Sequence, residues 1–233
     1  MRGTGRQGRR ARRFHAVPSG PEAEREKRAA AEAAAELVED GMAVGLGTGS
    51  TVAHLLPALA ARGLGIRCVA TSPATERAAR ELGLQVESFD ELDRLDIAID
   101  GADQVAPDGW LVKGGGGAHF REKIVAAAAE RFVVVVDSGK PVDELSPPVP
   151  LELSSFGLRA TLRALGAAEL RDAPATPDGG LLADYLGPVG DPAALAARLA
   201  ATPGLVEHGL FGPDLVSDVL VGRGEQVQAL EPR

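Results

Sequence analysis

At 233 residues the chain is long enough to bury a substantial core, either as one domain or as a large domain with a smaller partner. Hydrophobic residues make up 45% and aromatics only 3%, so the core is built from Ala, Val and Leu, and base-stacking platforms for single-stranded nucleic acid are excluded. A formal net charge of -8 argues against general affinity for nucleic acid or anionic membranes.

The charge is unevenly spread. The first 13 residues hold six arginines and no acid, leaving 19 basic and 33 acidic residues in the other 220. An acidic body must bind an anionic substrate through local amides and a few placed lysines. Residues 1 to 20 lack periodicity and read as a disordered basic tail. A nucleic-acid arm or an organelle transit peptide is the lesser reading, the latter because serine is scarce. Ser19 and Glu22 form a capping-box pattern with Pro21 in the first turn, which predicts a helix running to Asp40 and stopped by Gly41. Met42 to Leu46 is a short apolar strand, and Gly47-Thr48-Gly49-Ser50-Thr51 turns it into a helix ending near Gly63. Such a turn offers free N–H groups and three hydroxyls at a positive helix end, which suits phosphate; a plain turn with a Ser/Thr cap is the other reading. It is neither a P-loop, lacking the Gly-Lys-Ser/Thr ending, nor a dinucleotide fingerprint, lacking the third glycine.

Ile66 to Ala70 is the next strand, Pro73 to Leu82 a helix closed by Gly83, and Leu84 to Phe89 a third strand. This alternation predicts right-handed crossovers and a mainly parallel sheet. Phe132 to Val136 is a β-branched run suited to a strand buried on both faces, closed by the polar turn Asp137 to Lys140. Prolines 147, 148 and 150 mark a boundary. Beyond it Leu151 to Leu153 and Leu181 to Tyr185 read as strands, and Ser155 to Leu165 and Pro192 to Ala201 as helices. Leu215 to Val221 and Val227 to Leu230 form a terminal hairpin. The predicted fold is α/β: a Rossmann-like, mainly parallel sheet domain (21–147 plus 204–233) with a smaller α+β lid domain (148–203). The single cysteine, Cys68, cannot form an internal disulfide, which suits a reducing compartment such as the cytoplasm. No stretch approaches 18 apolar residues, so no membrane span is expected. His15, His54, His119 and His208 are scattered without ligand spacing, so no metal site is expected.

The densest chemistry lies in Asp96 to Ile124, DIAIDGADQVAPDGWLVKGGGGAHFREKI. Leu95 to Ile99 reads as a buried strand, which places Asp100 at its carboxyl end, where ligands bind in open α/β sheets. Asp-Gly there is also an ordinary turn signal. Four glycines, Gly114 to Gly117, let backbone N–H groups approach an anion, and the run opens directly into a helix from His119 to about Glu130. Glu122 falls in that helix's first turn, where the macrodipole favours a carboxylate and keeps it ionised. That position has a structural reason of its own. An ionised carboxylate beside Lys113 and a loop of amides is nevertheless what proton abstraction next to a carbonyl requires.

The segments DGAD (100–103), KGGGGAHFREKI (113–124) and VGLGTGST (44–51) closely resemble the signature segments of ribose-5-phosphate isomerase type A. Weaker likeness continues through VVVVDSGK (133–140), Pro150 to Leu153 and TPGLVEHGLF (202–211), covering about residues 22 to 231. The resemblance implies a cofactor-free and metal-free aldose-ketose isomerase acting on ribose 5-phosphate and ribulose 5-phosphate. Glu122 would shuttle the proton, with Lys113 and the amides of Gly114, Gly115, Gly116 and Gly117 stabilising the enediolate. Asp100 and Asp103, with Gly101 and Ala102 between them, would hold sugar hydroxyls and help open the ring. Thr48, Gly49, Ser50 and Thr51 would bind phosphate, with Lys140 and Lys27 supplying charge. The implied partners are a sugar phosphate and further copies of the chain, as dimer or tetramer, with no nucleic acid and no membrane. Two positions depart from the family pattern: Gln104 replaces the usual Glu after DGAD, and Gly139 stands where Ser or Ala is common before the lysine. The alternatives are a non-catalytic sugar-phosphate sensor and a related acyl-CoA transferase using Glu122 as a nucleophile.

Overall fold

The computed structural model describes residues 20–92 and 94–230. In chain order the first half contains α1 (Pro21–Ala35), β1 (Ala43–Leu46), α2 (Val52–Ala61), β2 (Arg67–Ala70), α3 (Pro73–Glu81), β3 (Gln85–Val86), β4 (Leu95–Asp100), β5 (Gln104–Val105) and β6 (Leu111–Val112). There follow α4 (His119–Ala128), β7 (Ala129–Asp137), β8 (Val149–Leu153), α5 (Leu158–Leu165), β9 (Ala168–Leu170) and β10 (Leu181–Tyr185). The chain closes with α6 (Pro192–Ala200), β11 (Leu205–His208), β12 (Leu210–Phe211), β13 (Asp218–Arg223) and β14 (Gln226–Leu230).

Seven strands form the main sheet in the order β14-β13-β7-β4-β1-β2-β3. All its neighbours are parallel except the β13-β14 hairpin. From β1 the chain moves outward through β2 and β3 on one side, then returns to β4 on the other. The carboxyl ends of β1 and β4 therefore flank the point where strand order reverses, the usual ligand crevice of such sheets. Alternate residues of each strand face opposite sides, which explains the unbroken apolar run in β7. Val133 and Val135 join Ile97, Ile99 and the buried faces of α1 and α2, whereas Phe132, Val134 and Val136 pack with Val125 and Ala126 of α4. A second, antiparallel sheet, β11-β8-β10-β9, packs Leu151, Leu153 and Ala183 against Leu195 and Leu199 of α6 and Leu165 of α5. A small antiparallel ribbon, β12-β6-β5, draws on both halves of the chain and pairs Leu210 with Val112.

Several boundaries differ from the sequence expectation for identifiable reasons. Helix α1 ends at Ala35 rather than Asp40 because the Arg62 guanidinium takes the carbonyls of Ala35 and Val38. Its N-cap is Gly20, without a side-chain bond; Ser19 and the tail before it lie outside the described residues. The third strand shrinks to two residues, since Ser88 accepts from Asp90 N–H and opens a short 3₁₀ turn at Phe89–Glu91. Helix α4 stops at Ala128, where Ala129 turns extended and pairs with Leu95. The last hairpin starts at Asp218 because Pro213–Leu215 form another 3₁₀ turn.

Candidate active site

Three loops converge at the carboxyl ends of β1, β4 and β7 around a cavity of about 240 Å³. It is lined by Lys27, Thr48, Gly49, Ser50, Thr51, Gly101, Ala102, Asp103, Lys113, Gly114, Gly115, Gly116, Glu122 and Lys140. Larger hollows occur elsewhere on the surface, but none gathers the same groups. Asp100, a sequence candidate, is not among the lining residues.

At the centre lies a buried triad of charges. Asp100, Lys113 and Glu122 are 3%, 2% and 4% exposed. The Lys113 ammonium donates to Asp100 Oδ2 at 2.8 Å and to the Gly101 carbonyl. It also lies 3.1 Å from Glu122 Oε2, outside hydrogen-bond alignment, so that oxygen is left without a hydrogen-bond partner. Asp100 Oδ1 accepts from the N–H groups of Thr48 at 3.0 Å and Gly101 at 2.7 Å. Both Asp100 oxygens thus accept from protein donors, tying the β1 loop to Lys113. Gly47 makes this possible, because a Cβ there would occupy the space of the Asp100 carboxyl group.

One ammonium cannot balance two carboxylates away from water. Burial raises the pKa of Asp100, against the pull of Lys113 and two N–H groups. Burial also pushes Glu122 up, to about 8, with the Asp100 charge adding to it and Lys113 opposing. The expected effect of the helix dipole, which favours an ionised Glu122, is thus opposed by burial, which raises its pKa. A dipole contribution of about 0.3–1 kcal/mol is small beside the several kcal/mol of desolvating a charge. Burial lowers the pKa of Lys113, but the adjacent carboxylates outweigh it and raise the value overall.

The two glycine-rich turns supply donors. Gly49, Ser50 and Thr51 precede α2 with N–H groups that have no partner among the described residues. Thr48, also expected at phosphate, spends its N–H on Asp100 and its hydroxyl on Thr71 at 2.8 Å. In the second turn, Asp103 Oδ2 accepts from Gly115 N–H at 2.7 Å. Gly114 has φ 98° and lies against His119, where a Cβ would come within 2.6 Å of Nδ1. His119 is fully buried, and burial lowers its pKa to about 4, so it is neutral packing.

The cations come from separate elements. Lys27 is held by Glu24 at 2.7 Å, one turn back on α1. Lys140 ends the turn after β7, which Glu26 of α1 anchors by accepting from Ser138 N–H at 2.9 Å. Gly139 is not in the left-handed region, so its backbone makes no demand for glycine. Gln104 faces away from the cavity and exchanges bonds with Ser146: its Nε2 donates to the carbonyl and its Oε1 accepts from N–H, both at 2.8 Å. Two contributors were invisible in the sequence. Glu26 looked like any helix residue, and Arg171 lies in a segment with no motif. Arg171 Nη1 donates to the carbonyls of Gly114 and Gly115, each at 3.1 Å. Among the described residues no group of three His, Cys, Asp or Glu could hold a metal ion.

The family model for ribose 5-phosphate isomerase A (phosphoriboisomerase A) matches residues 67–226. A ribose-5-phosphate isomerase A of Caulobacter vibrioides is 45% identical over 226 residues, covering 90% of this chain and 99% of the relative. The crystal structure of ribose 5 phosphate isomerase A from Neisseria gonorrhoeae superposes with a TM-score of 0.87 at 33% identity, over 91% of this chain and 98% of that one. A D-ribose-5-phosphate isomerase in complex with phospho-erythronic acid gives 0.83 at 36% identity, over 88% and 97%. In sequence and in fold alike, the chain belongs to the ribose 5-phosphate isomerase A family.

Proposed function

We propose that the protein interconverts D-ribose 5-phosphate and D-ribulose 5-phosphate through an enediolate, with Glu122 as the proton carrier. The observation that carries this is the Glu122 carboxylate itself: buried on the cavity, with one oxygen free of hydrogen bonds and an ammonium 3.1 Å away. In the open-chain aldose the ionised carboxylate takes the C2 proton and later returns it to C1. A matching proton shift from the C2 hydroxyl to O1 completes the ketose. Negative charge develops on the oxygens, where Lys113 and the glycine-loop amides stand. The N–H groups of Gly49, Ser50 and Thr51 take the phosphate, with Lys27 and Lys140 supplying charge that the acidic body lacks. Asp103 faces the cavity and holds sugar hydroxyls, whereas Asp100 acts from behind by fixing Lys113. A relative that binds phospho-erythronic acid, a phosphorylated sugar acid, supports an anionic phosphosugar ligand here.

The sensor and transferase alternatives are not favoured by this family. The segment 148–203, extended by β11, is taken as a smaller domain closing over the larger one. The protein is further taken to act in the cytoplasm, supported by the lone buried Cys68, and as a homo-oligomer. Among the described residues no helix is long and apolar enough to cross a membrane. The decisive experiment is incubation of pure protein with ribose 5-phosphate. Ketose should form, and Glu122→Gln should reduce its rate by about 10²- to 10⁴-fold. No ketose from the parent chain would overturn the assignment.

A further inference from the structure

We propose that Arg171 is a positioning residue for this reaction, holding two peptide planes of the glycine loop from behind so that an N–H faces the developing enediolate. The inference rests on the isomerase reading above. Arg171 follows β9 in the smaller sheet, outside every recognisable motif. Its guanidinium is fixed first by its own sheet: Nε and Nη2 donate to the two oxygens of Asp184 at 2.9 and 2.6 Å. That fork leaves Nη1 to reach across to the main domain, where it meets the carbonyls of both Gly114 and Gly115.

In a trans peptide the C=O and the following N–H point in opposite directions. A carbonyl drawn back towards Arg171 therefore turns the next N–H towards the cavity. The first plane sends Gly115 N–H to Asp103 Oδ2 at 2.7 Å. The second sends out Gly116 N–H, which has no partner among the described residues and belongs to a residue lining the cavity. Glycines at these positions have no side chain to hold either plane, and a free four-glycine run would sample many orientations. Gly114 O also accepts from Gly117 N–H at 3.0 Å, but among the described residues Gly115 O has only Arg171. The orientation of the free donor thus depends on one guanidinium from the other sheet. Leu182 of β10 closes the same contact, touching the position a Cβ of Gly117 would take at 2.5 Å. Asp184 neutralises the arginine, so its contribution is geometric rather than an added positive charge at the substrate.

The test is steady-state isomerisation of ribose 5-phosphate by the full chain and by Arg171→Ala, Arg171→Lys and Asp184→Asn, with inhibition by inorganic phosphate measured in parallel. A misplacement of about 1 Å costs on the order of 100-fold. Arg171→Ala should accordingly lower kcat by roughly 10- to 100-fold while the phosphate inhibition constant stays within about twofold. Arg171→Lys, able to reach one carbonyl, should fall between, and millimolar guanidinium should restore part of the kcat of Arg171→Ala but not change the parent. Asp184→Asn should lose less than Arg171→Ala. A kcat for Arg171→Ala within about threefold of the parent, or a loss matched by equal loss of phosphate affinity, would overturn the role. If Arg171→Ala does not fold, Arg171→Lys and Asp184→Asn decide on the same criteria. A parent chain that makes no ketose would remove the isomerase reading and this role with it, whereas an active parent beside an equally active Arg171→Ala removes this role alone.

Discussion

As the proposed base, Glu122 can act only once it has lost its proton, and its surroundings make that loss difficult. Burial and the Asp100 charge together outweigh the neighbouring Lys113, setting its pKa at about 8. Since kcat/KM reports groups of the free enzyme, it should rise with pH through about 8 and level off above. A profile flat from pH 6 to 9 would show that Glu122 is not the titrating base. Gln104 is the other residue to settle, because it directly follows the Asp100 to Asp103 segment. Its amide serves Ser146 as donor and acceptor at once, a pairing that a carboxylate could complete only halfway. Gln104→Glu should cost about 1 kcal/mol of stability and change kcat/KM by less than about tenfold. Urea titration and initial rates measure the two effects; a gain of several hundredfold in kcat/KM would mean the natural site is crippled.

At the scale of elements, the site is made where two strands end side by side. β1 and β4 are adjacent in the sheet, so the turn after one can hydrogen-bond the last residue of the other. The contact is close enough that Gly47 is required for space alone, since its φ is not in the left-handed region. Gly47→Ala should push the Asp100 carboxyl group out of place and cost about 1–3 kcal/mol, the usual penalty for overpacking. Because Asp100 holds Lys113, activity should fall much further than stability does. Unchanged rates with an unchanged denaturation midpoint would mean that the loop shifts freely and that the tie is incidental. On the other face of the cavity, α4 brings Glu122 to the rim through its first turn, with Glu122 N–H bonded to the Ala118 carbonyl at 2.9 Å.

Across the whole molecule, function is stored at the expense of stability. Glu122 has a folded pKa of about 8 against an ordinary value of 4.5, so the folded state binds its proton more tightly than the unfolded state. Linkage then makes the contribution of this group fully favourable below pH 4.5 and progressively lost as pH rises to about 8. Glu122→Gln removes that loss. Its Tm should match the parent near pH 4 and exceed it at pH 8, as is common when an active-site charge is neutralised. Equal melting curves at both values would show that the carboxylate is better solvated than its burial indicates. The charge that opposes the enediolate is assigned to Lys113, so exhaustive EDTA treatment should leave turnover unchanged. Activity restored only by added divalent metal would overturn that assignment.

Much of this architecture is legible along the chain because it is carried by short contiguous segments. Alternating strands and helices, the apolar run of β7 and the hairpin at the end are local patterns, and they specify a mainly parallel sheet. The motifs around Gly47, Asp100 and Gly114 place donors and carboxylates at strand ends, and the cavity gathers nearly all the residues singled out there. The two-residue strands β5 and β6 escape such reading because their hydrogen bonds, not their composition, define them. The tertiary structure alone decides three further matters. It turns Asp100 inward to Lys113, thirteen residues on. It raises the pKa of Glu122, since desolvation depends on what packs around a group and no local dipole can predict it. It brings Arg171 to Gly114 and Gly115 across more than fifty residues of chain, a contact set by the docking of two sheets.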